Sequence, residues 1–427
     1  MDTDLYIILG LLYAFCFLIL SIRRRDIALL LAIAGAPFQN DLSIGLPIKF
    51  SIAEVNLLII TVVFATDIVR GRRQFSLGPV GFPAMLYLLA CVLSAVSSWR
   101  GSVAVSSLIQ TGIYTIVTVA VFAEFPDWSA DYRPCFDAYI LVASLLGIAA
   151  TVSATGYVFG LHKNNLGATL GSSVLIATEL WFASDTKRRR TVYAAAAAIS
   201  GVGLIFTLSR GSWIGAMAGL LVMGLVRRAF SLLTRAVVLL LPLTAIAWLS
   251  LPKESTDYAT DFDSNTYNIR ARLEVIDAAK DYFEKEPLFG VGTGLRKEMD
   301  ATNLVWITLA ETGVIGFAAF FFLHVVIGRM IYKEVERVPS SCPEFSYLVI
   351  AAGLVADKLA HGMVDHYWVR GSLFVAWASV GMATRVWSTA TEALGASALS
   401  DPETTLPPTN HRLGGRRVYA SVGDREV

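Results

Sequence analysis

Charge is what this chain has least of. Only 16% of its 427 residues are Asp, Glu, Lys or Arg, where a soluble protein of that length would carry about 25%. With 55% hydrophobic residues and a mean hydropathy of +0.60, a water-soluble globular fold is excluded and an integral membrane protein is expected. Cysteine is scarce too. Cys16, Cys91, Cys135 and Cys342 are scattered in or beside apolar segments. Their spacing suits neither a metal cluster nor a redox pair, so they read as packing residues. The formal net charge is +1 and no basic block is long enough to bind nucleic acid. No repeat of fixed period is visible. A cleavable leader is not expected either: Asp2 and Asp4 precede the first apolar run and no small-residue cleavage site follows it, so residues 5–20 read as a retained first span.

Apolar runs are what the chain has in abundance. A bilayer span needs roughly 20 apolar residues. About 13 segments fit, near residues 5–22, 26–38, 52–69, 81–98, 103–124, 135–158, 166–184, 191–208, 211–226, 236–251, 303–327, 345–367 and 371–388. The second is short and meets Pro37, which makes it a half-span and twelve the alternative count. Basic residues orient the bundle. Arg23 to Arg25, Arg70/Arg72/Arg73, Lys187 to Arg190, Arg227/Arg228 with Arg235, and Arg329/Lys333/Arg337 lie in five inter-span connections. With 13 spans all five fall on one side, which the positive-inside rule makes cytoplasmic. Dropping segment two alone would misplace the first cluster. The expected fold is therefore an all-α polytopic membrane protein with 12–13 transmembrane helices over residues 1–389. One large external loop, residues 252–302, interrupts it, and a disordered cytoplasmic tail follows at residues 390–427.

That loop carries most of the clustered polar groups away from the termini. From Asn268 to about Glu286 the apolar residues Ile269, Leu273, Ile276, Ala279 and Phe283 recur at three- and four-residue steps, which predicts an amphipathic helix. Pro287 ends it, and Gly290, Gly292 and Gly294 permit a tight turn. Arg270 and Arg272 are two residues apart and point to different faces. At least one of the two can reach a site beneath if the apolar face packs on the bundle. Lys280, Glu284, Lys285 and Glu286 read as a solvated charge run.

Four further groups face the same side. His162, Lys163, Asn164 and Asn165 stand at a span end, where they can bind a polar ligand or cap and snorkel. Arg210 sits between two long spans with little more than Ser-Arg-Gly to separate them. An arginine there is costly unless it meets an anion, and its fork fits phosphate oxygens; the alternative is a snorkelling or lipid-headgroup arginine. Glu311, about two turns into the next span, is a functional acid or a buried hydrogen-bonding group, with Asn303 just before that span. His361 and Asp365 are four apart on one helix face, with His366 beside them. An Asp can orient a histidine and raise its basicity, and no further ligands at metal spacing accompany the pair.

Taken together, these segments resemble the bacterial O-antigen ligase/polymerase superfamily, and within it the exopolysaccharide polymerases. The run T-L-S-R-G-S-W-I-G, residues 207–215, is similar to the family's S-R-G-[AS]-W element, and H-K-N-N-L-G-A-T-L, residues 162–170, to its H-K-N-x-L-G element. Arg272-x-x-x-Ile276-x-x-Ala279 followed by Pro287-x-x-Gly290-x-Gly292 resembles its loop pattern, with Ile in place of the usual Trp. The segment from Asn303 to Gly316 resembles the family's next segment, directly after that loop. The resemblance covers roughly residues 150–385 and lies in the ordered set of motifs.

It implies a C-type glycosyltransferase fold in the bacterial cytoplasmic membrane, with the site facing the periplasm and no cofactor. The implied donor is an undecaprenyl-diphosphate-linked oligosaccharide, and a chain-length regulator is a possible partner. The glycan passes to a sugar hydroxyl on another lipid-linked repeat unit (a polymerase) or on lipid A core (a ligase). A flippase or transporter is the alternative of another class. Arg210, Arg272, Arg270, Lys163, His162, Asn164 and Asn303 are then the substrate-binding candidates, because the departing lipid diphosphate needs fixed positive charge. One departure stands out. Relatives have His-Asn before the span after the loop, and this chain has Thr302-Asn303. Threonine cannot take a proton at neutral pH. The base is then His361 or His366 steered by Asp365, or Glu311, unless electrostatics carry catalysis alone or the chain has no turnover.

Overall fold

The computed structural model describes residues 3–38, 51–126, 131–153, 157–260, 267–299, 302–365 and 373–399. The chain divides into two compact units, Met1–Ser388 and Thr389–Val427; the first holds the helix bundle and the loop over residues 252–302, and the second is helical over its described residues. Each apolar segment has become a helix, because a backbone in hydrocarbon must satisfy its own polar groups. Among the described residues there is no β-strand, only an isolated bridge between Val158 and Leu161.

In order, the first half contains α1 (Thr3–Arg23), α2 (Arg25–Gly35), α3 (Ile52–Val69), α4 (Gly81–Ser97), α5 (Gly101–Gly112), α6 (Val119–Glu124) and α7 (Arg133–Ser153). A π-helical stretch, Ile113–Thr118, joins α5 to α6. Then come α8 (Lys163–Ala183), α9 (Lys187–Phe206), α10 (Arg210–Val226) and α11 (Phe230–Leu249). The loop forms α12 (Lys253–Thr260), α13 (Tyr267–Lys285) and α14 (Leu295–Glu298), and α15 (Leu304–Arg337), α16 (Pro343–Gly362) and α17 (Phe374–Leu399) follow. Among the described residues six stretches are long and apolar enough to cross a membrane: α3, α4, the α5–α6 run, α7, α8 and α15. With 11 residues α2 is half a span, as Pro37 suggests.

Small residues place the site. From Leu166 to Leu180 every residue of α8 is buried, so α8 has neighbours all round. Its Gly and Ser content allows this, since helices in lipid pack closest where side chains are small. Gly167 abuts Ser209 and Ser212 of α10. On its other face α10 presents Gly211, Gly215 and Gly219 to α16. A Cβ on Gly211 would stand 2.8 Å from His361 Cδ2, and one on Gly219 would stand 2.8 Å from the Gly353 carbonyl oxygen.

The loop between α11 and α15 is tied into α15 at a break that the apolar pattern conceals. Gly313, at φ 63° and ψ −169°, interrupts the helix. The break strands backbone groups that the Pro287–Gly294 turn then satisfies. Val291 N donates to the Ala310 carbonyl (2.8 Å) and Gly292 N to the Glu311 carbonyl (3.2 Å), while Val314 N donates to the Pro287 carbonyl (2.8 Å). An orphaned buried group would cost about 1–3 kcal/mol each. Gly290, Gly292 and Gly294 have φ of 72°, 107° and 109°, and a Cβ on Gly290 would overlap the Glu311 backbone, so the turn needs glycine there.

Helix α13 spans the expected stretch, and of its expected stripe Ala279 is buried and Phe283 packs on Trp306 of α15. Ala279 is its buried residue, flanked by Val275 and Tyr282 and packed on Leu295, Ile307 and Ala310. Leu273, expected on the inner face, is 47% exposed.

Candidate functional site

Five segments converge at one end of α8, α10 and α16, and the polar candidates of the sequence supply most of the contacts. At the start of α8, His162 is the N-cap: its Nδ1 accepts from Asn164 N at 3.3 Å, and its ring packs edge-on against Tyr157. Asn164 Oδ1 accepts from Ser209 Oγ (3.1 Å), which also pairs with Ser212 Oγ (2.8 Å). Leu208, at φ 53°, makes the sharp link that starts α10 at Arg210. Arg210 is therefore on the first turn, half-buried, beside the Gly211 that packs on His361 and Asp365.

Opposite, α16 ends at Gly362 and one further turn carries Asp365, whose N–H donates to the His361 carbonyl at 3.0 Å. His361 and Asp365 therefore share the face toward α10. From the loop, Arg272 donates to the Val364 carbonyl (3.1 Å) and lies 3.5 Å from Asp365 Oδ2. Asn303 caps α15 by accepting from Val305 N and Trp306 N, and its amide donates to the Met363 carbonyl at 3.0 Å. Thr302 Oγ1 donates to the Arg272 carbonyl at 3.4 Å. Thus Arg210, Arg272, Asn164, Asn303, His361 and Asp365 are brought together. Lys163 stands beside them on the first turn of α8.

Other candidates lie apart. Arg270 faces solvent and pairs with Glu274 at 3.5 Å, one turn on, so the two loop arginines do serve different faces. Glu311 is buried in the turn: its Oε1 accepts from Gly294 N (3.2 Å) and Arg296 N (2.8 Å), and its Oε2 from Arg296 Nε (2.5 Å). Burial works against the Arg296 charge, but the Glu311 carboxylate more than offsets it and holds the guanidinium above its ordinary value. Both oxygens of Glu311 are engaged by the turn. His366 lies outside the described residues. Among the described residues no group of three or more His, Cys, Asp or Glu is placed to hold a metal ion.

Two groups escaped the sequence reading. Asp357 and Lys358 are fully buried one turn below His361, with Lys358 Nζ 2.8 Å from Asp357 Oδ2 and 2.8 Å from Ser172 Oγ. Adjacent opposite charges inside an apolar segment were the available signal. Arg296 had none, since its pairing depends on the turn closing onto α15.

A family model described as O-antigen ligase matches residues 195–321. The match runs from within α9 past the break in α15, and so takes in Arg210, Arg272 and Glu311 but not His361 or Asp365. No curated protein matches the chain.

Proposed function

The match over residues 195–321 supports membership of the O-antigen ligase/polymerase family, and from that premise we propose a polysaccharide polymerase that joins lipid-diphosphate-linked repeat units. The observation that carries this reading is that Arg272 lies 3.5 Å from Asp365 at the place where Gly211, the neighbour of Arg210 on the first turn of α10, packs on Asp365 and His361. The reaction needs two things there. One is fixed positive charge for the departing lipid diphosphate, and the other is an acceptor for the proton of the attacking hydroxyl. In this proposal the donor diphosphate lies against Arg210 and Arg272. The acceptor sugar oxygen forms a bond to the anomeric carbon, the carbon–oxygen bond to the diphosphate breaks, and the carrier leaves with that electron pair.

Asp365 takes the hydroxyl proton. It is tethered to Arg272 in the resting state, and a bound diphosphate competes for that guanidinium and releases the carboxylate. His361 is fully buried against Gly211 and acts by holding Asp365 in place. Glu311, with both oxygens engaged by the turn, serves as a clamp. The five basic clusters at the other end support an orientation with this end of the bundle outside the cytoplasmic membrane. The polymerase is preferred to the ligase because the position where ligases carry histidine is Thr302, whose hydroxyl bonds to the Arg272 backbone.

Glycan profiles of a deletion strain test the reading. Single repeats accumulating on the carrier, with long chains restored by the intact gene, are the expected outcome. Undecorated lipid A core beside carrier-linked long polymer would establish the ligase instead. Lipid-linked units trapped on the cytoplasmic side would point to a transporter.

Two substitutions probe the proton acceptor. Asp365→Asn is expected to lower polymer yield at least about 100-fold with normal membrane insertion, and His361→Ala to lower it less. Wild-type yield from Asp365→Asn would remove it as the base. Gly211→Ala pushes a methyl into the His361 ring and is expected to reduce yield about tenfold or more. Gly328→Ala, where a Cβ meets nothing within 4 Å, is expected to be neutral in the same assay.

A further inference from the structure

The helices that bear the candidate site also frame a second polar cavity at their opposite end. Its volume is about 260 Å³, and it lies between the C-terminal end of α8 and the starts of α7, α9 and α16. A water molecule takes roughly 30 Å³ in the liquid, so this space exceeds what a bridging water or two requires. Arg133, Arg190 and Arg227 line it, together with the hydroxyls of Ser340, Ser341 and Ser346.

Of the three guanidinium groups, Arg227 is committed elsewhere. It pairs with the fully buried Glu179, and its cation lies 4.4 Å from the centre of the Phe182 ring. Arg133 and Arg190 make no ion pair among the described residues, and Arg190, at the mouth, donates to the Ser184 carbonyl at 2.9 Å. Two nearby carboxylates do not line the cavity. Tyr193 donates to Asp137 at 2.7 Å and Tyr347 to Asp131 at 2.8 Å, leaving Asp185 as the one carboxylate in the lining. Donors and positive charge therefore exceed acceptors on the cavity wall. The basic run from Lys187 to Arg190 and the Arg228–Glu336 pair lie at the same end of the bundle.

We propose that this cavity binds a phosphate-bearing anion, gripped by Arg133 and Arg190 with hydroxyl donors from Ser340 and Ser341. Forked guanidinium groups suit phosphate oxygens, and basic pockets between membrane helices take anionic headgroups. Two sources share that chemistry: the headgroup of an anionic phospholipid and a soluble phosphate ester. The three helices α8, α10 and α16 run from this cavity to the candidate active site. An anion here would brace the ends of the elements that carry Asn164, Arg210 and His361.

The test uses the full-length protein purified in detergent. Retention of phosphatidylglycerol against phosphatidylcholine is read by native mass spectrometry, and a thermal shift with glycerol phosphate forms the soluble arm. Preferential retention of phosphatidylglycerol, or stabilisation by glycerol phosphate, is expected, and whichever occurs identifies the source. Arg133→Gln with Arg190→Gln is expected to weaken that binding at least tenfold. Arg72→Gln with Arg188→Gln, exposed basic residues outside the cavity, removes the same charge and is expected to leave it intact. Ser340→Glu with Ser341→Glu, at exposed positions, is expected to abolish binding by repulsion while the protein remains monodisperse. This pair decides the matter should the arginine variant fail to fold. No anion preference in either arm, or equal loss in the cavity and control variants, would overturn the proposal.

Discussion

Replacing either Arg210 or Arg272 with alanine is expected to remove long polymer from the cell surface while the protein still inserts in the membrane. Single lipid-linked repeats should accumulate in its place. The size of the effect follows from the chemistry. Breaking a glycosyl–diphosphate bond concentrates negative charge on the departing carrier, and deleting one fixed donor aimed at such charge costs roughly 10²- to 10³-fold in rate. Arg210 is pinned at the start of α10 by the Leu208 turn and the Ser209–Asn164 bond, and Arg272 by two contacts with the end of α16. Lysine at either position keeps the charge but loses the fork, so an intermediate yield is expected. Arg270→Ala, which breaks only an exposed pair with Glu274, is expected to change yield little. Equal loss in all three alanine variants would mean that the loop acts through its overall charge rather than through a built site.

The second large effect concerns stability. Glu311→Ala leaves Arg296 charged and buried and takes the acceptor from Gly294 N and Arg296 N. Breaking a buried pair from one side costs about 3–5 kcal/mol, so a marked drop in the melting temperature of the purified protein is expected. Glu311→Gln keeps an oxygen for the two backbone donors and is expected to fall between Glu311→Ala and the wild type. Glu311→Met combined with Arg296→Met removes both charges and should recover part of the loss, though not the two backbone bonds. A melting temperature unchanged by Glu311→Ala would dismiss the clamp and return Glu311 to the candidate proton acceptors.

The helices were legible in the sequence because lipid imposes one requirement on every span. A run of apolar residues bounded by charges is enough to expect a helix, and each of the expected segments contains one among its described residues. Arg210 stood out for a related reason, as an arginine expected at the edge of a span, and it is the first residue of α10. The break at Gly313 was not. Thr312-Gly313-Val314 continues an apolar pattern, and only the carbonyls and N–H groups taken up by the turn reveal that the helix is interrupted. Glu311 looked like an isolated acid because its partner Arg296 is reached through three glycines in left-handed conformations. On α13 the expected Ala279 is buried and the expected Leu273 is 47% exposed, because an amphipathic period marks a face without fixing how far each residue lies from the neighbouring helix. Asp357 and Lys358 could have been noticed, as two opposite charges side by side in a span, but nothing in their spacing said that Ser172 would complete the group.

The proposed activity itself can be measured most directly in a reconstituted system. Purified protein in detergent or liposomes would be given the lipid-diphosphate-linked repeat unit alone, with no nucleotide sugar and no lipid A core. The expected result is a ladder of carrier-linked oligomers with release of one lipid diphosphate per bond formed, absent when Arg210 or Arg272 is replaced by alanine. Failure to form any ladder, together with glycan transfer as soon as lipid A core is added, would contradict the polymerase.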